Sequence, residues 1–459
     1  MRAAETAVFD HGSTAETLMD EAAAGIADAV SMFFPAPGQC VVFAGKGNNG
    51  GDALAAAALL HRTGWTIDLR LAFEEAELGE LARKKLTAFQ HIRRDELPLA
   101  RGRAEARPSV VIVLDGLLGL GAKPPLREPI RSACREINRL RRDQHAFVFA
   151  VDLPSGIDGD SGRADPDCVV ADFTIAIGFA KRGLVADQAA NLVGRLHLIP
   201  LAELTVDSHH AGGVVSDSAS LQHLLPRRDF NAYKNQFGRV GIVAGSKGMT
   251  GAAILCSLGA IHGGAGLVEL FVPEEIYKVV ASSAAPEVMV KPVSRYPTLL
   301  DEPIDVWALG PGLGRSRASE ILELISKASC PMVIDADALN ILAEDMQALR
   351  RSVGRRLLTP HAGEMKRLFP HPHGSRAEQA EQFCATFDAT LLLKGSRTIV
   401  AERHQPLSYN TTGNPGMATG GMGDVLTGVC AALIAQHLSP YDAARVGAWV
   451  CGRAAEIAI

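Results

Sequence analysis

The sequence predicts an α/β protein built from two sheet-based domains, and three observations carry that reading. Short apolar runs that end in glycine or an acidic residue alternate with Ala/Leu-rich stretches of helical period, the pattern of parallel α/β layers. The runs fall into two series separated by a polar, glycine-containing interval. The chain has 459 residues, more than the ~250–300 at which a single core stops growing, so two or three domains are expected.

In the first half the apolar runs occupy residues 41–44, 67–71, 110–114, 147–151 and 173–177. They read as one doubly wound parallel sheet. Residues 201–235 break the rhythm with His209, His210, Gly212, Gly213, Pro226, Arg227, Arg228 and Asp229. The boundary is placed there, giving a first domain over 1–210, a linker over 211–225 and a second domain over 226–459. The second series covers 240–244, 267–272, 306–309, 332–334, 357–358, 391–393 and 398–401, a second parallel-rich sheet with glycine loops at its strand ends. Residues 446–459 keep a helical pattern with no cap or glycine stop, so the natural chain is expected to continue past Ile459.

Composition narrows the function class. Lys and Arg total 46 against 51 Asp and Glu, a net charge of −5, with no long block of one sign, so a nucleic-acid partner is not expected. The 47% hydrophobic and 21% charged content fits an ordinary globular chain rather than a disordered one. No apolar run approaches the ~18–20 residues of a membrane span. The opening residues, with Arg2, Glu5, Asp10 and His11, lack a signal-peptide core. Cys40, Cys134, Cys168, Cys256, Cys330, Cys384, Cys430 and Cys451 are scattered with no CxxC pair, which points to reduced thiols and a cytoplasmic protein without membrane contact. A homo-oligomer is compatible with all of this.

The first candidate site follows the run at 41–44, where Gly45-Lys46-Gly47-Asn48-Asn49-Gly50-Gly51-Asp52 leads into a helical stretch. Glycines 45, 47 and 50 satisfy the G-x-G-x-x-G spacing of a dinucleotide loop. Asp52, however, is expected in the first turn of the helix, where it would oppose a pyrophosphate, and Asp68 lies inside a strand rather than at the end that a ribose-binding acid occupies. A simple strand-to-helix turn with an Asp cap is the alternative. Two further runs end alike, in Asp115 before Gly116-Leu117-Leu118-Gly119-Leu120-Gly121, and in Asp152 before Leu153-Pro154-Ser155-Gly156. Ligands of open parallel sheets lie beyond the carboxyl ends of the strands, so Asn49, Asp52, Asp115, Asp152 and Ser155 can converge there, an oxygen-rich cluster suited to a cation with acid/base work beside it.

These motifs resemble the NAD(P)H-hydrate epimerase domain, the YjeF N-terminal family, over roughly residues 1–205. The resemblance implies a Rossmann-like three-layer sandwich. It also implies substrate contacts at Asn48, Asn49, Gly50, Gly51 and Asp52 and at Gly119, Leu120, Gly121, Ala122, Lys123, Pro124 and Pro125. Asn49, Asp115 and Ser155 are implied as potassium (K+) ligands, and Asp152 as a substrate-binding acid/base. Three positions depart from the usual pattern: Ala53 stands for a common Gly, Leu120 for a Thr and Lys123 for an Arg. Lysine keeps the charge of arginine but loses its bidentate fork.

In the second half, Asn414-Pro415-Gly416-Met417-Ala418-Thr419-Gly420-Gly421-Met422-Gly423-Asp424 opens a helical run. Such a glycine turn at a helix start can nest an anion, and a carboxylate beside it can take the proton of an attacking hydroxyl. Gly310-Pro311-Gly312-Leu313-Gly314, Asp335-Ala336-Asp337, Thr359-Pro360-His361-Ala362-Gly363-Glu364 and Lys394-Gly395-Ser396-Arg397-Thr398 follow four other strands. With residues 233–238 and 251–253, these resemble the NAD(P)H-hydrate dehydratase domain, the YjeF C-terminal family, a relative of ribokinase, over roughly 225–459. The resemblance implies a ribokinase-like α/β domain in which Lys394, Gly395, Ser396, Arg397, Thr398 and Gly423 hold the adenine nucleotide, ADP or ATP with Mg2+. Ala253, Gly312, His361 and Asp424 would meet the hydrated nicotinamide, with Asp424 as the base. Asp335 and Asp337 would serve a metal or cap a helix.

Together the two resemblances imply a bifunctional repair enzyme for hydrated NADH and NADPH. It would epimerise the R and S forms and dehydrate the S form at the expense of ADP or ATP. The alternatives are a vitamin-type small-molecule kinase fused to a nucleotide-binding module, or a first half that senses ligand without turnover.

Overall fold

The computed structural model describes residues 13–95, 110–202, 204, 212–225, 227–370 and 373–458. Arg2, Glu5, Asp10, His11, His209, His210, Pro226 and Ile459 lie outside the described residues. The chain divides into two compact units, Met1–His210 and Ala211–Ile459.

The first unit holds strands β1 (Gln39–Ala44), β2 (Thr66–Leu71), β3 (Val111–Gly116), β4 (Phe147–Val151), β5 (Phe173–Ile177) and β6 (Arg195–Ile199), in the order β2-β1-β3-β4-β5-β6. Every pairing is parallel. Alternate residues of each strand enter opposite layers, as the pleat requires. Cys40, Val42, Ile112, Leu114, Phe149 and Val151 meet α1 (Ala15–Phe33) and α2 (Asn48–Arg62) on one face. Val41, Phe43, Val113, Val148 and Ala150 meet α3 (Ile130–Asp143) on the other. The result is the expected three-layer sandwich, Rossmann-like in form. Strand β6, with Arg195 and His197 in only five residues, was hidden from a search for apolar runs because it is an edge strand.

The second unit has ten strands: β7 (Val214–Ser216), β8 (Arg239–Val243), β9 (Leu267–Pro273), β10 (Val288–Val293), β11 (Val306–Leu309), β12 (Met332–Ile334), β13 (Arg356–Leu358), β14 (Thr390–Leu393), β15 (Ile399–Ala401) and β16 (Ser408–Asn410). Their order is β10-β9-β8-β11-β12-β13-β14-β15-β16-β7. Only β15 runs antiparallel to its neighbours. Leu309, Ile334, Leu358 and Leu391 face one core, and Ile242, Ala308, Val333 and Leu392 the other. The second core receives α4 (Thr250–His262), α5 (Met422–Ala435) and α6 (Pro440–Ile457).

Residues 211–225, expected as a linker, depart from that expectation. Val214–Ser216 pairs in parallel with Ser408–Asn410, the Ser216 and Ser408 hydroxyls meet at 2.7 Å, and Leu221 is buried in the second core. Edge pairing and one buried leucine make this segment part of the second unit. Strand β10 also escaped the sequence pattern, since its Lys291 and Pro292 suit only a sheet edge. Among the described residues, no helix is long and apolar enough to cross a membrane.

Candidate active sites

In the first sheet the chain order reverses between β1 and β3, the topological switch point where open α/β sheets place ligands. The loops after these two strands do meet there. A Cβ on Gly50 would lie 2.0 Å from the carbonyl oxygen of Gly45, so only glycine fits that crossing. The cap of α2 is Gly47, in extended backbone, and the helix starts at Asn48. Asp52 therefore sits in the second turn and not in the first, which removes the expected clash with an anion at the helix start. Ala53 is fully buried, and its methyl lies 2.3 Å from where a Cβ on Gly116 would sit; the bare α-carbon of Gly116 makes room for this departure.

A cavity of about 610 Å³ opens at this point, lined by Lys46, Gly47, Asn48, Asn49, Asp52, Phe73, Leu117 to Leu120, Ala122, Asp152 and Ile177, with Met19 of α1 as one wall. Of the sequence-predicted contacts, Asn48, Asn49, Asp52, Gly119, Leu120, Ala122 and Asp152 thus come together. Gly50, Gly51, Gly121, Lys123, Pro124 and Pro125 are not in its lining. Lys123 is 66% exposed and 4.0 Å from both Asp158 and Asp160.

Asp115, Ser155 and Asn49 form one connected set around the backbone of Leu118. The Ser155 hydroxyl donates to Asp115 Oδ1 at 2.6 Å and its amide to Oδ2 at 2.8 Å. The amide of Leu118 donates to Ser155 Oγ at 3.0 Å, while Asn49 Nδ2 donates to the Leu118 carbonyl at 2.9 Å. Asp115 is completely buried. Burial pushes its carboxyl up to about 6, against the pull of hydrogen bonds from Ser155 and Leu117.

Asp152 has a left-handed backbone, φ 66°. Its Oδ1 accepts from the amide of Ile177 at 3.2 Å and from the ammonium of Lys181, which is itself buried. Sequence reading passed over Lys181, which stands 29 residues downstream of its partner, beyond any local motif.

In the second sheet the switch point lies between β8 and β11. Asp335 follows β12, is 1% exposed, and joins two distant segments: Oδ1 accepts from Lys394 Nζ at 2.7 Å and Oδ2 from the Thr427 hydroxyl at 2.9 Å. A Cβ on Gly423 would be 3.3 Å from Asp335 Oδ2 and 3.4 Å from Lys394 Nζ. The glycine turn therefore presses the start of α5 onto this pair, with Gly421 in the left-handed region as the cap. Asp424, in the first turn, is pushed up to about 6 by burial and by the charge of Asp335, with Lys394 opposing.

Asp335 makes no capping hydrogen bond to the helix after it. Asp337 instead accepts from the amide of Gly314 at 2.9 Å and braces the glycine loop. Gly312, φ 60°, is held through its carbonyl by the Ser246 hydroxyl, and Ala253 is fully buried on α4. His361 acts as a helix cap: its Nδ1 accepts from the amides of Gly363 and Glu364 at 2.9 and 3.3 Å, and Glu364 bonds back to its amide at 2.8 Å. Glu364, raised chiefly by burial, lies 3.9 Å from Lys394. The strip Lys394 to Thr398 forms the turn between β14 and β15. Arg376 clamps it by donating to the carbonyls of Leu393, Lys394 and Arg397 at 3.0 to 3.1 Å. Thr427 and Arg376 escaped sequence reading, since each lies outside the glycine motifs, and Glu364 stood in the 359–364 motif without a role.

Residues 15–183 match the family described as YjeF-related protein N-terminus, and residues 240–459 the family described as NAD(P)H-hydrate dehydratase. The chain is 35% identical to the bifunctional NAD(P)H-hydrate repair enzyme Nnr of Moorella thermoacetica, over 96% of this chain and 87% of that protein. It is 33% identical to the Nnr of Escherichia coli, over 92% and 81% respectively. Among solved structures, the ADP/ATP-dependent NAD(P)H-hydrate dehydratase from Bacillus subtilis co-crystallized with ATP/Mg2+ is 29% identical, matching 53% of this chain and 89% of its own at a TM-score of 0.48. With relatives of this kind aligned along nearly its whole length, the chain belongs to the family of bifunctional NAD(P)H-hydrate repair enzymes.

Proposed function

We propose that the first unit interconverts the R and S forms of NADH and NADPH hydrated at C6 of the nicotinamide, and that the second dehydrates the S form with ADP or ATP. The observation that carries this reading is Asp424, a carboxylate set on a glycine-opened helix start against the pair of half-buried Lys394 and buried Asp335. That arrangement suits proton removal from a hydroxyl attacking a phosphoryl group. The C6 oxygen takes the terminal phosphoryl group as its bond to the nucleotide breaks, releasing AMP from ADP or ADP from ATP, and Asp424 takes the hydroxyl proton. The ring nitrogen lone pair then expels phosphate, and loss of a C5 proton restores the double bond. Hydroxide leaves badly, whereas phosphate leaves well. A vitamin-type kinase shares the Gly423–Asp424 chemistry but gives no use to the Asn-Asn-Gly-Gly-Asp loop of the first unit.

Lys394 to Thr398, fixed by Arg376, and Gly423 are the nucleotide contacts in this reading, with Ala253, Gly312, His361 and Asp424 on the nicotinamide side. Among the described residues no three His, Cys, Asp or Glu side chains gather into a metal cage. Magnesium accordingly fits here as the companion of the nucleotide phosphates. In the first unit Asp152 is the acid/base that lets C6 lose and regain its configuration. Asn49, Asp115 and Ser155 suit potassium: Asp115 is a wholly buried carboxylate whose hydrogen bonds come from neutral donors, and a monovalent cation would offset its charge and brace the loop at Leu118. The test is to supply hydrated NADH with ADP or ATP and follow recovery of the dihydronicotinamide absorbance. Recovery that needs the nucleotide supports this reading, and nucleotide consumption without it favours a kinase.

A further inference from the structure

We propose that Lys181 is a positioning residue of the epimerase centre, locking the carboxylate of Asp152 so that one oxygen is left to serve the substrate. The inference rests on the reading of Asp152 as the acid/base of that centre.

Three contacts close a ring at the carboxyl end of β5. Lys181 Nζ donates to Asp152 Oδ1, the same Nζ donates to the Ile177 carbonyl at 2.9 Å, and the Ile177 amide donates back to Asp152 Oδ1 at 3.2 Å. Both recorded bonds to the carboxylate fall on Oδ1. Asp152 and Ile177 line the cavity while Lys181 does not, so the lysine grips the carboxylate from behind. Among the described ion pairs, this is the one in which both side chains are nearly buried, at 6% and 11% exposure. Removing an ammonium and a carboxylate from water costs several kcal/mol each unless geometry and hydrogen bonds offset it. A surface ion pair could tie β4 to β5 without that cost. A lysine that serves only the fold would have no need to meet a left-handed aspartate in a cavity wall. One that fixes the orientation of a proton-transfer group must be there, because a carboxylate free to rotate loses alignment with C6.

The test uses the full chain and the R epimer, with Lys181→Met, Asp152→Asn and the double variant. Lys181→Met should lower kcat for epimerisation by ~10²-fold with little change in KM, while dehydration of the S form reports that the rest of the chain is intact. Asp152→Asn should be slower still, and adding Lys181→Met to it should cost less than twofold, because the lysine acts only through Asp152. Lys181→Arg, which keeps the charge, should recover part of the loss. Unchanged kcat in a folded Lys181→Met variant, or a further large loss in the Asp152→Asn background, would overturn the proposal. If Lys181→Met fails to fold, the Arg variant decides: a partial loss of kcat that disappears in the Asp152→Asn background supports it, and an unchanged kcat or an equal further loss in that background refutes it. Wild-type epimerisation by Asp152→Asn would instead sink the assignment of Asp152 itself.

Discussion

Lys394 and Asp335 are paired at 2.7 Å from segments 59 residues apart, and the two push Asp424 in opposite directions. Burial and Asp335 raise it to about 6, and Lys394 pulls it down. As a base Asp424 must be ionised, so dehydration should fall as pH drops through about 6. Lys394→Met removes the downward pull and leaves the charge of Asp335, so the acid limb should move to higher pH. Initial rates against pH at saturating nucleotide check this; an unmoved limb would separate Lys394 from Asp424.

Asp424→Asn keeps the shape and removes the base. Dehydration should fall by ~10²–10⁴-fold, with adenine nucleotide affinity nearly intact by calorimetry. Near-wild-type turnover would remove Asp424 from the mechanism.

Epimerisation should depend on potassium. Replacing it fully by a bulky organic cation should slow R-to-S conversion and lower the melting temperature of the first unit, while dehydration of the S form continues. Equal rates and equal melting in both salts would reduce Asn49, Asp115 and Ser155 to a structural knot.

Gly428→Ala tests how Asp424 is delivered. A Cβ there would lie 2.0 Å from the Cys256 carbonyl, backbone that cannot swing aside, so α5 must lift off α4. Overpacking of this kind costs ~1–3 kcal/mol, seen as a lower melting temperature together with weakened dehydration. Unchanged melting would mean the helices separate freely.

Much of this was legible in the chain. Strands with both faces buried, such as Val111–Gly116 and Val306–Leu309, announce themselves as apolar runs, and the glycine loops lie at the strand ends where switch points form. Edge strands such as Arg195–Ile199 and Val214–Ser216 did not, because one exposed side lets polar residues in. The carboxylates Asp115, Asp152 and Asp335 stood out at strand ends, and Asp424 at the close of a glycine turn. Their partners Ser155, Lys181, Lys394 and Thr427 are brought to them by the fold, and a lysine in sequence carries no mark of the carboxylate it will meet. His361 was read by its motif alone, which does not tell a capping ring from one that touches substrate.

The central claim, two activities on two separate units, is tested most directly with Asp152→Ala and a mixture of both epimers. Wild type should run to completion in one phase. The variant should convert the S fraction at the normal rate and then slow to spontaneous epimerisation, because independent sites behave additively. A variant that consumes the whole mixture as fast as wild type would contradict the account.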